Sequence, residues 1–248
     1  MVRGIETFRE FFRDFKDQYV LIGGSACDLL FNEAGIDFRA TKDLDLVLIA
    51  EALTPEFGKR FWAFVQEGGY QNRSRSSDTP QYYRFDKPQN KNYPAMVELF
   101  SRTEMLLDNP SSVTTPIHIS DDISSLSAIL LDEDYYQLLL NGKSSVSDIV
   151  VLKPEYLIAF KAKAFLDMKE RREKEDLPPN DEMQKHLKDI VRLSVMLSGN
   201  EAPNLPSQIK ADMATFINQY KQNPYDPQQL HLPITTVEFL NVMRSVFQ

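Results

Sequence analysis

The sequence is poor in the residues that staple or cage a small fold. Among 248 residues there is one cysteine, Cys27, so an intrachain disulfide is excluded. With only His118, His186 and His231 beside it, a Cys/His zinc cage is not expected either. That cysteine usage predicts a reducing, cytoplasmic setting. Long hydrophobic runs are also missing. The longest, Leu44–Leu53, is broken by Glu51, well short of the roughly 20 apolar residues that span a bilayer. The first fifteen residues alternate Phe with charges at helical spacing and lack the apolar core of a secretory signal, so they are expected to form an amphipathic packing helix. An excess of base is absent too: 28 Lys and Arg face 36 Asp and Glu, a net charge of −8. The whole-molecule field therefore attracts neither nucleic acid nor an anionic membrane, and a polyanion must be held by a local patch. No internal repeat of 20–50 residues is visible.

What remains is the composition of an ordinary globular protein, 42% hydrophobic and 26% charged, with length for one large or two modest domains. Tyr19-Val-Leu-Ile22 reads as a strand stopped by Gly23-Gly24, with a helix resuming through Ser25–Asn32. Asp43–Ile49 alternates carboxylate and Leu before turning wholly apolar, the pattern of a strand with one polar end. Pro55 suits the first turn of a helix carrying Phe57, Phe61, Phe64 and Val65 and ending at Gly68-Gly69. A hairpin is expected over Gln81–Arg102, and a second turned by Asn141-Gly142 between Tyr135–Leu140 and Val146–Leu152. Beyond Lys153-Pro154 the period is 3.6, over Pro154–Lys174, Asp181–Leu197, 206–220 and 235–247. The chain thus divides into residues 1–152, with strands and helices, and a helical domain, 153–248.

The stretch that could carry chemistry combines Gly23-Gly24-Ser25 with Asp43-Leu-Asp45. On a strand, residues i and i+2 share a face, so Asp43 and Asp45 stand together while Leu44, Leu46 and Leu48 pack inward. Two neighbouring carboxylates repel unless a cation lies between them, and Mg²⁺ is commonly held by one or two carboxylates with substrate phosphates. Glycines before a helix let backbone N–H groups approach a phosphate, and Ser25 adds a hydroxyl. A third acid, Glu98, lies inside the apolar run Ala95–Phe100, where burial demands a partner. Asp86 competes for that role, but Lys87-Pro88 directly after it suggests a loop.

In the helical half, Leu157, Phe160, Ala164, Phe165 and Met168 form one stripe with Lys161 in its middle. Such a lysine is held for an anionic partner or snorkels out. Asp189, at the edge of the stripe Leu187, Ile190, Leu193 and Leu197, could pair with it; His186 beside it is expected to cap or pack. Lys163 falls on the opposite arc with Asp167, Glu170 and Lys174, a set suited to i,i+4 pairing. Residues 70–102 concentrate Arg73, Arg75, Arg84, Lys87, Lys91 and Arg102 against Asp78, Asp86 and Glu98. Tyr70, Tyr82, Tyr83 and Tyr93 are interleaved, a mixture that could stack on bases and neutralise phosphates.

Strand, Gly-Gly-Ser, helix and a strand with Asp-x-Asp together resemble the nucleotidyltransferase superfamily of DNA polymerase β and the CCA-adding enzymes, over about residues 19–102. Leu152-Lys-Pro-Glu-Tyr-Leu-Ile-Ala-Phe-Lys161-Ala-Lys-Ala, with Lys185-His-Leu-Lys-Asp189, is similar to the second half of the AbiEii/AbiGii-type nucleotidyltransferases, toxins of bacterial abortive-infection and toxin–antitoxin systems. The spacer of 17 residues between Ser25 and Asp43 is longer than is usual there, and an inserted loop over Asn32–Thr41 accounts for it.

The resemblance implies an α+β fold, a mixed nucleotidyltransferase sheet with helices followed by a C-terminal helical bundle, and an active site between the two domains. It implies an NTP substrate in the hold of Gly23, Gly24, Ser25 and Lys161, and Mg²⁺ or Mn²⁺ on Asp43, Asp45 and Glu98. Asp189 would orient Lys161 or the acceptor. The acceptor hydroxyl would belong to RNA, such as a tRNA 3′ end, with a cognate antitoxin protein as a further partner and no membrane. A small-molecule, antibiotic-type nucleotidyltransferase and a non-catalytic nucleotide- or RNA-binding module are the alternatives.

Overall fold

The computed structural model describes residues 2–76, 82–102, 115–117 and 129–248. Expectations placed on Asp78, Gln81 and His118 lie outside the described residues, as do the side chains of Arg73 and Arg75. Two compact units emerge. The first takes Met1–Ile119 and Lys143–Leu152, the second Ser120–Gly142 and Lys153–Gln248, so the chain crosses from one to the other more than once.

The first unit is an eight-stranded mixed sheet in the order β6-β3-β4-β5-β2-β1-β8-β7. Its strands are β1 (Tyr19–Ile22), β2 (Asp43–Leu48), β3 (Tyr70–Ser76), β4 (Tyr82–Pro88), β5 (Met96–Phe100), β6 (Thr115–Ile117), β7 (Lys143–Val146) and β8 (Ile149–Leu152). Central β2 pairs antiparallel with β1 and parallel with β5. Among the described residues, three α-helices accompany the sheet: α1 (Ile5–Phe12), α2 (Gly23–Glu33) and α3 (Pro55–Gly68).

The two faces of the sheet differ sharply in chemistry. Helices α1 and α3 cover one of them with rings: Phe8, Phe12, Phe57, Phe61 and Phe64 pack among themselves and against Tyr19 and Phe85 of the strands. Edge-to-face contacts such as Phe8 on Phe64, centroids 6.1 Å apart, each add about 0.5–1.5 kcal/mol beyond area burial. Thr54 caps α3 by accepting the Phe57 N–H, Pro55 opens its first turn, and Gly69 closes it at φ 62°, a left-handed C-cap that other residues adopt reluctantly. By register, Asp43, Asp45 and Glu98 all project from the opposite face.

The second unit is helical: α4 (Glu133–Asn141), α5 (Pro154–Lys174), α6 (Asp181–Leu193), α7 (Ser207–Gln222) and α8 (Thr236–Phe247). The expected apolar stripe on α5 is only part of its buried surface. Ile158, Ala159 and Ala162 are buried with Leu157, Phe160, Ala164, Phe165 and Met168. It packs against α4, α6 and α7, so its apolar surface is wider than one stripe. On the opposite arc Lys163 pairs with Asp167 at 3.2 Å, as its spacing predicts, and also reaches Asp212 of α7 at 3.6 Å. Tyr135 of α4 donates to that same Asp212 at 2.9 Å. At the start of α8 a reciprocal capping box joins Thr235 and Glu238.

One expected element is corrected. Tyr135–Leu140 is not the first arm of a hairpin but the body of α4, capped by Asp132, which accepts the Tyr135 N–H. Asn141-Gly142 ends that helix, and the hairpin of β7 and β8 turns instead at Ser147-Asp148, both at positive φ. Asn-Gly suits a two-residue hairpin turn and a helix C-terminus alike, and burial of Tyr135, Tyr136, Leu138 and Leu139 at helical spacing decides the matter. Gly142 abuts the ring of Tyr156, with no room for a Cβ. Gly142→Ala is therefore expected to lower stability by about 1–3 kcal/mol, read as a shift in the urea midpoint. An unchanged midpoint would mean that Tyr156 has room to move.

Candidate active site

The acidic face of the sheet is assembled at the end of β1. There the chain turns from strand into α2 through Gly23 at φ 66°, a conformation that costs an L-residue about 1–2 kcal/mol. The Asp45 carboxylate occupies the space a Gly23 side chain would fill, and Thr41 and Arg39 crowd Gly24 in the same way. Gly23 is thus required both by the turn and by Asp45, and Gly24 by its close neighbours alone. Ser25 is completely buried, and its hydroxyl donates to the backbone carbonyl of Asp43. It ties the first turn of α2 to the start of β2, so the long spacer does not separate the Gly-Gly-Ser turn from Asp-x-Asp.

Sheet register places the third acid. Ile22, Asp45, Glu98 and Arg84 form one row across β1, β2, β5 and β4, and Asp43, Met96 and Asp86 form the next. Glu98 is in line with Asp45, yet its Oε1 is already engaged. The Arg84 guanidinium reaches it at 2.7 and 2.8 Å, and the Tyr82 hydroxyl donates to it at 2.5 Å. Burial and the adjacent Glu98 charge raise the Tyr82 pKa above the ordinary phenol value. Burial works against the charge on Arg84, but Glu98 and Tyr82 together outweigh it and raise the guanidinium pKa.

Among the described residues no three acidic, histidine or cysteine side chains gather as a metal-binding cluster. Asp43 and Asp45, which share a face of β2, have the donor chemistry that holds Mg²⁺ when substrate oxygens complete the shell. Asp86 is not in a loop: β4 continues through Pro88, with Lys87 at φ 54°. An irregular backbone at Lys87 lets the strand keep its pairing past a residue pair that normally ends one.

The ion pair of Arg84 and Glu98 carries its own expectation. Arg84→Ala leaves a buried carboxylate with Tyr82 alone of these partners and should cost about 1.5–3 kcal/mol in denaturant unfolding. Adding Glu98→Gln should recover most of that loss, because a neutral amide needs no counter-charge. Failure of the double variant to recover would show that Arg84 acts through its packing over the Tyr82 ring, 5.7 Å away.

Two expectations about the basic stretch are corrected. Tyr70, Tyr82 and Tyr93 are core residues, each less than 5% exposed, and so present no stacking surface. Tyr70 donates to the Pro94 carbonyl and Tyr93 to Glu67. Arg84 is committed to Glu98 rather than to a free wall. Tyrosine is amphipathic, and an interleaved Tyr/Arg sequence does not reveal that Tyr70 and Tyr93 pack on Phe64 of α3 while Tyr82 turns to Glu98 on the acidic face.

In the second unit Lys161 and Asp189 meet as the helical spacing suggests, Nζ to Oδ2 at 3.0 Å. Asp189 is wholly buried rather than at the edge of its stripe, and Arg192 approaches its other oxygen at 3.5 Å. His186 is half-buried on the same helix.

No protein-family model matches the sequence, and no curated protein does. Among solved structures, an antigenic nucleotidyltransferase-like protein from Paracoccidioides brasiliensis superposes with a TM-score of 0.51 at 15% identity, covering 99% of this chain and 94% of that one. The fold is nucleotidyltransferase-like. The antibiotic-resistance factor ANT(2'')-Ia also aligns, at 13% identity and TM-score 0.42, over 92% of this chain and 94% of that chain. The mixed sheet with helices is thus the architecture that the Gly-Gly-Ser and Asp-x-Asp pattern implies. No sequence pattern announces the approach of Arg39 and Thr41 to Gly24, the Asp28 carboxylate that accepts the Val2 N–H at 2.8 Å, or the hold of Arg84 and Tyr82 on Glu98. The one available signal was a cation and a hydroxyl, Arg39-Ala-Thr41, just before the acidic strand.

Proposed function

We propose that the protein is a divalent-metal-dependent nucleotidyltransferase that moves a nucleoside monophosphate from an NTP to an acceptor hydroxyl. One observation carries this reading: Asp43 and Asp45 share a face of β2, and the Asp45 carboxylate lies against Gly23, where β1 turns into α2. Metal-binding acids and a phosphate-accommodating turn are thereby adjacent. Asp43 and Asp45 would hold Mg²⁺ or Mn²⁺, which when bound supplies charge neutralisation for in-line displacement at the α-phosphate. The backbone at Gly23 and Gly24 would bind the triphosphate, and Ser25 would keep the turn against β2. Glu98, in line with Asp45, would orient the acceptor while Arg84 and Tyr82 hold it in place.

The resemblance to abortive-infection toxins favours RNA, including a tRNA 3′ end, as acceptor, and an antitoxin as partner. Burial of Tyr70, Tyr82 and Tyr93 favours a second reading, a small hydroxylated acceptor that needs no stacking wall. Incubation with each labelled NTP, Mg²⁺ or Mn²⁺, and either total tRNA or a panel of hydroxylated antibiotics separates the two by which acceptor takes the label. If neither acceptor is labelled under any metal, the transferase reading fails and a binding module remains.

A further inference from the structure

Glu98 stands between two neighbours and has turned to one of them. In its row across the sheet, Asp45 lies on one side and Arg84 on the other, each strand about 4.8 Å away. A carboxylate so placed can face Asp45 and share a cation with it, or it can face Arg84. The structure shows the second arrangement. Arg84 Nη2 and Nε reach Glu98 Oε1 at 2.7 and 2.8 Å, and the Tyr82 hydroxyl donates to the same oxygen at 2.5 Å. Both partners come from β4, where residues two apart share a face. Arg84 Nε also lies 2.8 Å from the Tyr82 oxygen, so the three side chains close into a triangle.

That arrangement bears on how many ions the site takes. Two-metal sites hold their ions about 3.5–4 Å apart and need carboxylates that face both. An oxygen that already accepts three hydrogen bonds, two of them from a cation, has little left to offer a metal. An ion on Oε2 would share one carboxylate with a guanidinium, and like charges that close repel strongly where water is scarce. Glu98 is 8% exposed, so water screens it little. Arginine stays charged at every working pH and is thus a permanent occupant.

Resting on the nucleotidyltransferase reading above, we propose that the site takes one divalent ion, on Asp43 and Asp45, and that Arg84 is the fixed cation standing where a second ion would otherwise neutralise Glu98. Arg84 is then a positioning residue. With Tyr82 it keeps Glu98 charged and turned towards β4, and Oε2 is left to orient the acceptor hydroxyl.

The test counts Mn²⁺ by electron paramagnetic resonance on the full-length protein, with the ion alone and with α,β-methylene analogues of the four NTPs, which bind without transferring. Expected is one ion per wild-type nucleotide complex, without the spin coupling of a close Mn²⁺ pair. Glu98→Gln should keep that count. Arg84→Ala, which releases Glu98, should admit a second, spin-coupled ion, and Arg84→Ala with Glu98→Gln should return to one. A coupled pair in the wild type, a count that falls in Glu98→Gln, or a folded Arg84→Ala that still holds one ion would each overturn the proposal. Where Arg84→Ala does not fold, the Glu98→Gln count decides. If the wild type takes up no Mn²⁺ with any nucleotide, the functional reading falls and this inference falls with it. Two coupled ions in the wild type sink the inference alone.

Discussion

Asp45→Asn should lower nucleotidyl transfer on the order of 10³-fold while leaving the protein folded. The rate figure is that of the proposed metal site losing one of its two charged ligands. Charge stabilisation by a bound metal is worth several kcal/mol in the transition state, and each 1.4 kcal/mol is tenfold in rate. The stability expectation follows from the sheet. The amide keeps the shape that lies against Gly23, on the same face of the sheet as Asp43 and Glu98. The protein should therefore still unfold in one cooperative transition by circular dichroism. Transfer of label that persists in Asp45→Asn would remove Asp45 from the metal site. Asp86→Asn, one row away and in line with Met96, is the matched control and should change transfer only a few-fold.

The largest effect on stability is expected in the second unit. Lys161 and Asp189 are 6% and 0% exposed, so deleting either partner leaves a buried charge in an apolar helical core. Lys161→Ala or Asp189→Ala should cost about 3–5 kcal/mol, seen as an early helical transition in urea followed by circular dichroism. Asp189 also has Arg192 near it, so Lys161→Ala should be the milder of the two. The paired replacement Lys161→Met with Asp189→Leu should regain most of the loss, since an apolar pair of similar volume avoids the desolvation cost of the ions. This double variant also separates structure from chemistry. If it is stable and still transfers nucleotide at the wild-type rate, the role that resemblance implies for Lys161 and Asp189 is wrong, and the pair only holds the helices. If it is stable and inactive, their part in transfer stands.

Local sequence signals were readable wherever a pattern has one physical solution. Thr54, Pro55 and Gly69 delimit α3 because a side-chain cap, a fixed φ and a left-handed residue have few other uses in that order. Long helices α5 and α6 announced themselves by period, and the Lys161–Asp189 pair followed from their two stripes. Signals with two solutions misled. Asn-Gly after Tyr135–Leu140 served as a helix end, Lys87-Pro88 did not stop β4, and three tyrosines in a basic stretch turned out to be core. Burial against distant residues decided the first and third, and pairing of Pro88 with Tyr70 of β3 the second, and neither is a local property. Polar β3, Tyr70–Ser76, escaped notice for a related reason. It reads as a loop until β4 and β6 pair with it on either side.

The sequence by itself determined the acidic strand, the glycine turn before α2 and the helical character of the second unit, since these depend on residue spacing and backbone freedom. Tertiary structure alone decided what those residues meet. Sheet register aligned Glu98 with Asp45, and the neighbouring strand then gave Glu98 to Arg84 and Tyr82. The return of the loop after α2 brought Arg39 to Gly24, and the crossing of α5 and α6 sealed Lys161 with Asp189. The physical reason is range: propensity and periodicity act over a few residues, whereas charge compensation depends on whichever side chain packing brings within about 3 Å.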